Sequence, residues 1–82
     1  MIVQEVKMVD LSLGITVDPT IRFGKPVIKG TRVPADTVVA RVAAGMSIKE
    51  VAEEYGITEK DVYNALQYAA IRLSEEQIWA TA

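Results

Sequence analysis

Neither cysteine nor histidine occurs in this 82-residue sequence. Without cysteine there is no disulfide staple and no thiolate nucleophile. Without histidine the commonest metal ligand and the usual proton shuttle at neutral pH are missing. No apolar run approaches the ~20 residues of a bilayer span, and the first residues lack the charged-then-apolar order of a signal peptide. These absences lead us to expect a cytoplasmic protein that needs no metal and no cofactor. They also weigh against an enzyme. No serine is paired with a base, and the carboxylates of Glu50, Glu53 and Glu54 fall on an outer helix face. No constellation meets the joint demands of geometry and pKa that catalysis makes.

Half of the residues are hydrophobic, which is high for a chain whose single core has little stability to spare. Some of that apolar area is expected to meet another chain, as a homodimer or with an obligate partner. The net charge of −2 hides an asymmetry. Residues 1–34 carry five basic and three acidic side chains, a balance of +2, whereas residues 35–82 carry four basic and eight acidic ones, a balance of −4. A polyanion should prefer the first part and be repelled by the second unless its acids face away.

The most informative stretch runs from Ile48 to Gln67. Ser47 and Glu50 have the spacing of a capping box, in which each side chain satisfies an orphan amide at a helix start. The following helix sets Ile48, Val51, Ala52 and Tyr55 on one side, with Lys49, Glu50, Glu53 and Glu54 outside. Gly56 is suited to the left-handed residue that ends a helix. Ile57 then points inward, and Thr58 with Asp61 resembles a second N-cap. The next helix buries Val62, Ala65, Leu66 and Ala69, and small Ala52 lets the two helices cross closely. This is a helix-turn-helix pattern. Corners of this shape also serve as plain scaffolds, so geometry alone does not assign DNA binding.

Upstream, residues 1–13 alternate loosely as a strand whose phase slips near Val9, after which Val9, Leu11 and Leu13 take over the apolar face. So short a chain is expected to pair such a strand across a dimer. Ile15–Val17 reads as a second strand and Asp18-Pro19 as a turn opened by bonds from the Asp side chain. After a turn at Phe23–Pro26 comes the short strand Val27-Ile28, where Pro26 argues for a sheet edge. The resulting hairpin carries Arg22, Lys25, Lys29 and Arg32, with no acid from Thr20 to Ala35. That cluster reads either as a solvated loop guarding an edge or as an anion site shaped by Gly24, Gly30 and the Thr31 hydroxyl. A phosphate-loop match fails, because Thr31-Arg32 follows Gly30.

Pro34 is suited to the first position of another helix, and Asp36 to its positive end. Val38, Val39, Val42 and Ala43 form the apolar face, and Gly45 stops the helix before Met46. The last helix continues beyond Gln67 through Leu73, with Tyr63, Tyr68, Ala70 and Ile71 making further sides apolar. Ser74 and Gln77 have the spacing to restart a short helix holding Ile78 and Trp79, where Trp79 serves either as a lid on the core or as a partner anchor. The expected fold is mainly α: a homeodomain-like three-helix core with a helix-turn-helix, preceded by a short β-hairpin and an N-terminal strand. One domain covers residues 1–82, divided into a β and loop part (1–34), a helical core (35–73) and a tail (74–82).

The segment from Ile15 to Ala70 resembles a small prokaryotic family, through DP (Asp18-Pro19), GKPVIKGTRVP (Gly24–Pro34), AAGMS (Ala43–Ser47) and ALQYAA (Ala65–Ala70). That family is the domain of unknown function numbered four hundred and thirty-three, whose members look like antitoxins of type II toxin–antitoxin pairs. The resemblance covers about two-thirds of the chain, and its motif residues stand here at Asp18, Pro19, Gly24, Lys25, Pro26, Gly30, Thr31 and Arg32. Phe23 departs from the resemblance, standing where many members have glycine. The resemblance implies a PIN-like ribonuclease toxin as partner and operator binding by the antitoxin or the complex.

Two functions follow as expectations. As a dimeric DNA-binding antitoxin, the chain would present Thr58, Lys60, Tyr63, Asn64 and Gln67 to the major groove, with Lys49 from the preceding helix. Arg22, Gly24, Lys25, Lys29, Gly30, Thr31 and Arg32 would form an anion or partner loop on the flanking backbone. Glu59 and Asp61 oppose tight binding, since affinity rests on phosphate neutralisation. As a protein-interaction scaffold that never touches DNA, the chain would use Tyr68, Ile71, Leu73, Ile78 and Trp79 against a partner.

Overall fold

A computed structural model describes residues 8–77. Three short strands form an antiparallel sheet in sequence order: β1 (Val9–Ser12), β2 (Ile15–Val17) and β3 (Val27–Ile28). Three helices follow: α1 (Ala35–Ala43), α2 (Ile48–Tyr55) and α3 (Glu59–Glu75). This is the mainly helical layout with a small β part in front that the sequence implies.

The β part differs in one respect. Within the described residues, β1 pairs with β2 of its own chain, Val9 opposite Val17 and Asp10 opposite Thr16, so it is held by its own sheet. Register shifts between Asp10 and Ser12, so Leu11 is the extra residue of a bulge. The bulge is the physical form of the slipped phase. It turns Leu11 toward the core and leaves Val9 and Leu13 exposed, so they form no common inward face. Strand β3 is an edge paired only with β2 and bridged once to Pro34.

Pro34 lies just outside α1, with ψ of 136°, and the first helical residue is Ala35. The Ala35 amide donates to the Pro26 carbonyl at 2.9 Å, so the sheet edge and the helix start share a backbone bond. Ala35 is buried, whereas Ala43, expected on the apolar face, is exposed. Both remaining helix starts carry full capping boxes, Ser47 with Glu50 and Thr58 with Asp61. Gly56 ends α2 at φ 65°, and the Ile57 amide donates to Ala52. At the far end Ser74 does not cap a new helix, and the Ile78 and Trp79 that such a helix was expected to hold lie outside the described residues. Ser74 lies inside α3, its hydroxyl donating to the Ile71 carbonyl at 2.7 Å, and the helix ends on extended Glu76.

The core is built of small side chains. Val38, Val51 and Val62, one from each helix, are fully buried beside Ile15 and Ile28 of the sheet, with Ala35, Ala52 and Ala65 where elements approach closely. Leu66 packs against this cluster half-buried, and Ala69 is also half-buried. No aromatic ring is fully buried among the described residues. Tyr55 instead joins helices at their margin, where its hydroxyl accepts from Arg41 Nε of α1 at 2.9 Å.

Candidate functional site

Helix α3 presents two unlike surfaces. Lys60, Tyr63, Gln67 and Ala70 recur at helical spacing and are exposed, a stripe whose first and third members stand about 10 Å apart along the axis. Lys49 of α2 is also exposed. Of the residues expected to face DNA, Lys49, Lys60, Tyr63 and Gln67 are thus exposed. Two expected members differ. The Thr58 hydroxyl accepts the Asp61 amide at 3.0 Å and is part of the cap. Asn64 is half-buried, its amide lying against Gly14 in the β1–β2 turn, so it does not project with Lys60 and Gln67.

The acids around this stripe are partly occupied. Glu50 and Asp61 each bind the backbone amide of their own N-cap residue, at 3.1 and 3.0 Å. Those bonds from Ser47 hold the Glu50 carboxyl below its ordinary range. Glu53, Glu54 and Glu59 remain exposed, so the helical face keeps an acidic margin.

On its other side α3 closes a groove of about 400 Å³ against α1 and the sheet edge, lined by Pro26, Ala35, Val39, Ala40, Tyr68, Ala69 and Leu73. At its rim Arg72 lies 5.3 Å from the centre of the Tyr68 ring and pairs with Glu75 at 3.3 Å. Leu73 is two-thirds exposed, and Ile71 is exposed nearby. Of the residues expected to meet a partner, Tyr68 and Leu73 line the groove, Ile71 is exposed without lining it, and Ile78 and Trp79 lie outside the described residues. Val39 and Pro26 belong to this surface but were not among the residues expected to meet a partner. Val39 was legible as part of the apolar face of α1 and Pro26 as a sheet-edge residue, but neither pattern reveals what the residue faces.

The basic loop resolves into separate jobs. Thr31 is structural: its hydroxyl donates to the Ile28 carbonyl at 2.8 Å and accepts the Val33 amide at 3.0 Å, closing the turn around Gly30. Lys25 pairs with Asp36 at 2.9 Å, which lowers the Asp36 carboxyl pKa. Lys29 approaches Asp10 at 3.9 Å. Arg22 Nε donates to the Arg32 carbonyl at 3.1 Å, and neither arginine pairs with a carboxylate among the described residues. Asp18 opens the turn as expected, accepting the Thr20 amide at 2.8 Å and its hydroxyl at 2.6 Å, bonds that lower its pKa. At the tip, Arg22, Phe23 and Gly24 take φ of 53°, 57° and 81°, so the chain makes with Phe23 the left-handed turn that glycine would make more easily.

The sheet, the turn and the helical corner can be set beside known proteins. A crystal structure of Rv2018 from Mycobacterium tuberculosis is similar, with 33% identity and a TM-score of 0.59 over 63% of this chain and 24% of that one. The present chain thus spans about a quarter of that protein's length. No curated protein matches it. The profile described as "Protein of unknown function (DUF433)" matches residues 15–69, from the start of β2 to the groove-lining Ala69, and the chain belongs to that family.

Proposed function

We propose that this chain is the antitoxin of a type II toxin–antitoxin pair, acting in the cytoplasm as a homodimer that binds a PIN-like ribonuclease toxin and operator DNA. The observation that carries this reading is the two-sided character of α3. Its polar stripe of Lys60, Tyr63 and Gln67 suits a major groove, and its apolar groove with Tyr68, Ala69 and Leu73 suits a protein. A regulator that holds DNA and a protein at once needs both surfaces. The toxin's class comes from the family resemblance, since the groove's chemistry names a protein partner and not which one.

The test is a salt-dependent titration of the DNA upstream of the gene, with and without the neighbouring gene product, alongside growth rescue of cells expressing that product. Rescue together with specific DNA binding is expected. Absence of rescue would end the antitoxin reading.

One observation favours a scaffold that binds protein only. Asn64, the best adenine reader on the helix, is turned against Gly14, and Glu53, Glu54 and Glu59 remain exposed near the stripe. On that reading rescue occurs but DNA binding does not.

A further inference from the structure

Phe23 is wholly exposed, at the tip of the turn between β2 and β3. A non-glycine residue in the left-handed region costs about 1 kcal/mol, and Arg22 beside it is left-handed as well. The ring gains nothing from the core in return. Hydrogen bonds hold the tip in this form: Ile21 to Asp18 at 2.9 Å, Gly24 to Ile21 at 3.1 Å, Lys25 to Arg22 at 3.1 Å, and the Arg22 side chain to the Arg32 carbonyl. A strained, fully solvated aromatic on a braced turn is a surface feature directed outward.

Its surroundings define what it meets. Arg22 and Arg32 are joined at the base of the turn and pair with no carboxylate among the described residues, while the nearest acid in sequence, Asp18, is bonded to Thr20. A flat apolar ring next in sequence to Arg22, whose side chain reaches the Arg32 backbone, with neither arginine paired to a carboxylate among the described residues, matches a base flanked by phosphates. A protein pocket would match the ring but gives no reason for two arginines in the same turn. We propose that the Arg22–Phe23 turn is a nucleic-acid contact in which the Phe23 ring lies against a base face and Arg22 and Arg32 meet the adjoining phosphates. The base is offered either by an unpaired strand or by a duplex step opened by the ring. This deepens the DNA-binding part of the function proposed above and relocates part of that contact from α3 to the turn.

The experiment titrates the full chain, with and without its co-encoded partner, against a duplex of its upstream region and a single strand of the same sequence. Compared with it are F23G, R32A and the helix variant K60A/Q67A. Binding by F23G should fall about tenfold or more, equivalent to about 1.4 kcal/mol, with its melting temperature held or raised and its salt slope unchanged. R32A should reduce the salt slope by about one. Dependence on Phe23 in the single-strand arm alone identifies an unpaired base; dependence in the duplex arm identifies an opened step, and either supports the inference. Wild-type affinity in F23G with loss in K60A/Q67A overturns the inference and leaves the helix-based reading standing. Loss of the protein partner by F23G, with nucleic-acid binding intact, assigns the ring to that partner and overturns it too. A wild-type chain that binds neither strand form removes both.

Discussion

Gly14 and Asn64 show how a residue's role is set by what stands opposite it. Gly14 has φ of 79°, and a Cβ there would run into the Asn64 side chain, 3.1 Å from Cγ and 3.3 Å from Cβ. G14A combines backbone strain with a collision and should lower stability by about 1–3 kcal/mol. Pairing it with N64A should recover part of the loss, a non-additivity that denaturant melts of the four proteins of the cycle would measure. Asn64 alone on a helical wheel looks like a base reader. What redirects it is a turn fifty residues earlier, and no local pattern carries that information. Asp18, by contrast, was legible, because its bonds run only to Thr20. The Phe23 strain was legible in part: a departure from glycine marks the position, but its φ is visible only in the fold. Relief of that strain in F23G is offset by the ~0.5–1 kcal/mol of extra chain entropy that glycine brings, so its melting temperature should hold or rise by a few degrees.

At the scale of elements, local chemistry governs and the sequence was read well. Both capping boxes and the Gly56 stop lie within four residues of the ends they define. T58A removes the acceptor for the Asp61 amide and should lower stability by about 1 kcal/mol. In a domain of this size that is a fall of about 4–8 °C in melting temperature, which thermal circular dichroism would register. Ala52 is nearly buried where the helices cross, and A52L should cost about 1–3 kcal/mol through overpacking. Helix α1 is tied to the turn by Lys25 and Asp36. Because this carboxylate titrates below its ordinary value when folded, its contribution is complete above the unfolded pKa and is lost as pH falls through the folded one. The pair is largely solvent-exposed, so the contribution is a few tenths of a kcal/mol at most. D36N should therefore melt slightly below wild type at pH 7 and converge with it well below pH 3.8, the carboxyl's ordinary value. Errors at this scale arose where an end depended on tertiary contact. Pro34 stays outside α1 because the sheet edge takes the Ala35 amide, and α3 passes Ser74 because that hydroxyl bonds back to Ile71.

Taken whole, the domain assigns its small apolar side chains to the interior and its larger ones to the rim. The groove between α1 and α3 could not be found by periodicity, which shows one helix's face but not the gap left between two. Its occupation is testable with L73D. Leu73 is two-thirds exposed, so the charge should leave the fold intact by circular dichroism and, on the proposed function, weaken capture of the toxin partner at least tenfold. Equal capture would place the partner elsewhere. The make-up of the interior bears on the protein's lifetime as well. With valine and isoleucine as its largest fully buried side chains, the described domain buries modest apolar area in each and keeps a narrow margin against unfolding. A partner that binds only the folded form widens that margin in proportion to the logarithm of its concentration. Degradation of the transiently open chain would then slow as partner accumulates, and on the proposed function the abundance of this protein would follow the supply of whatever fills its groove.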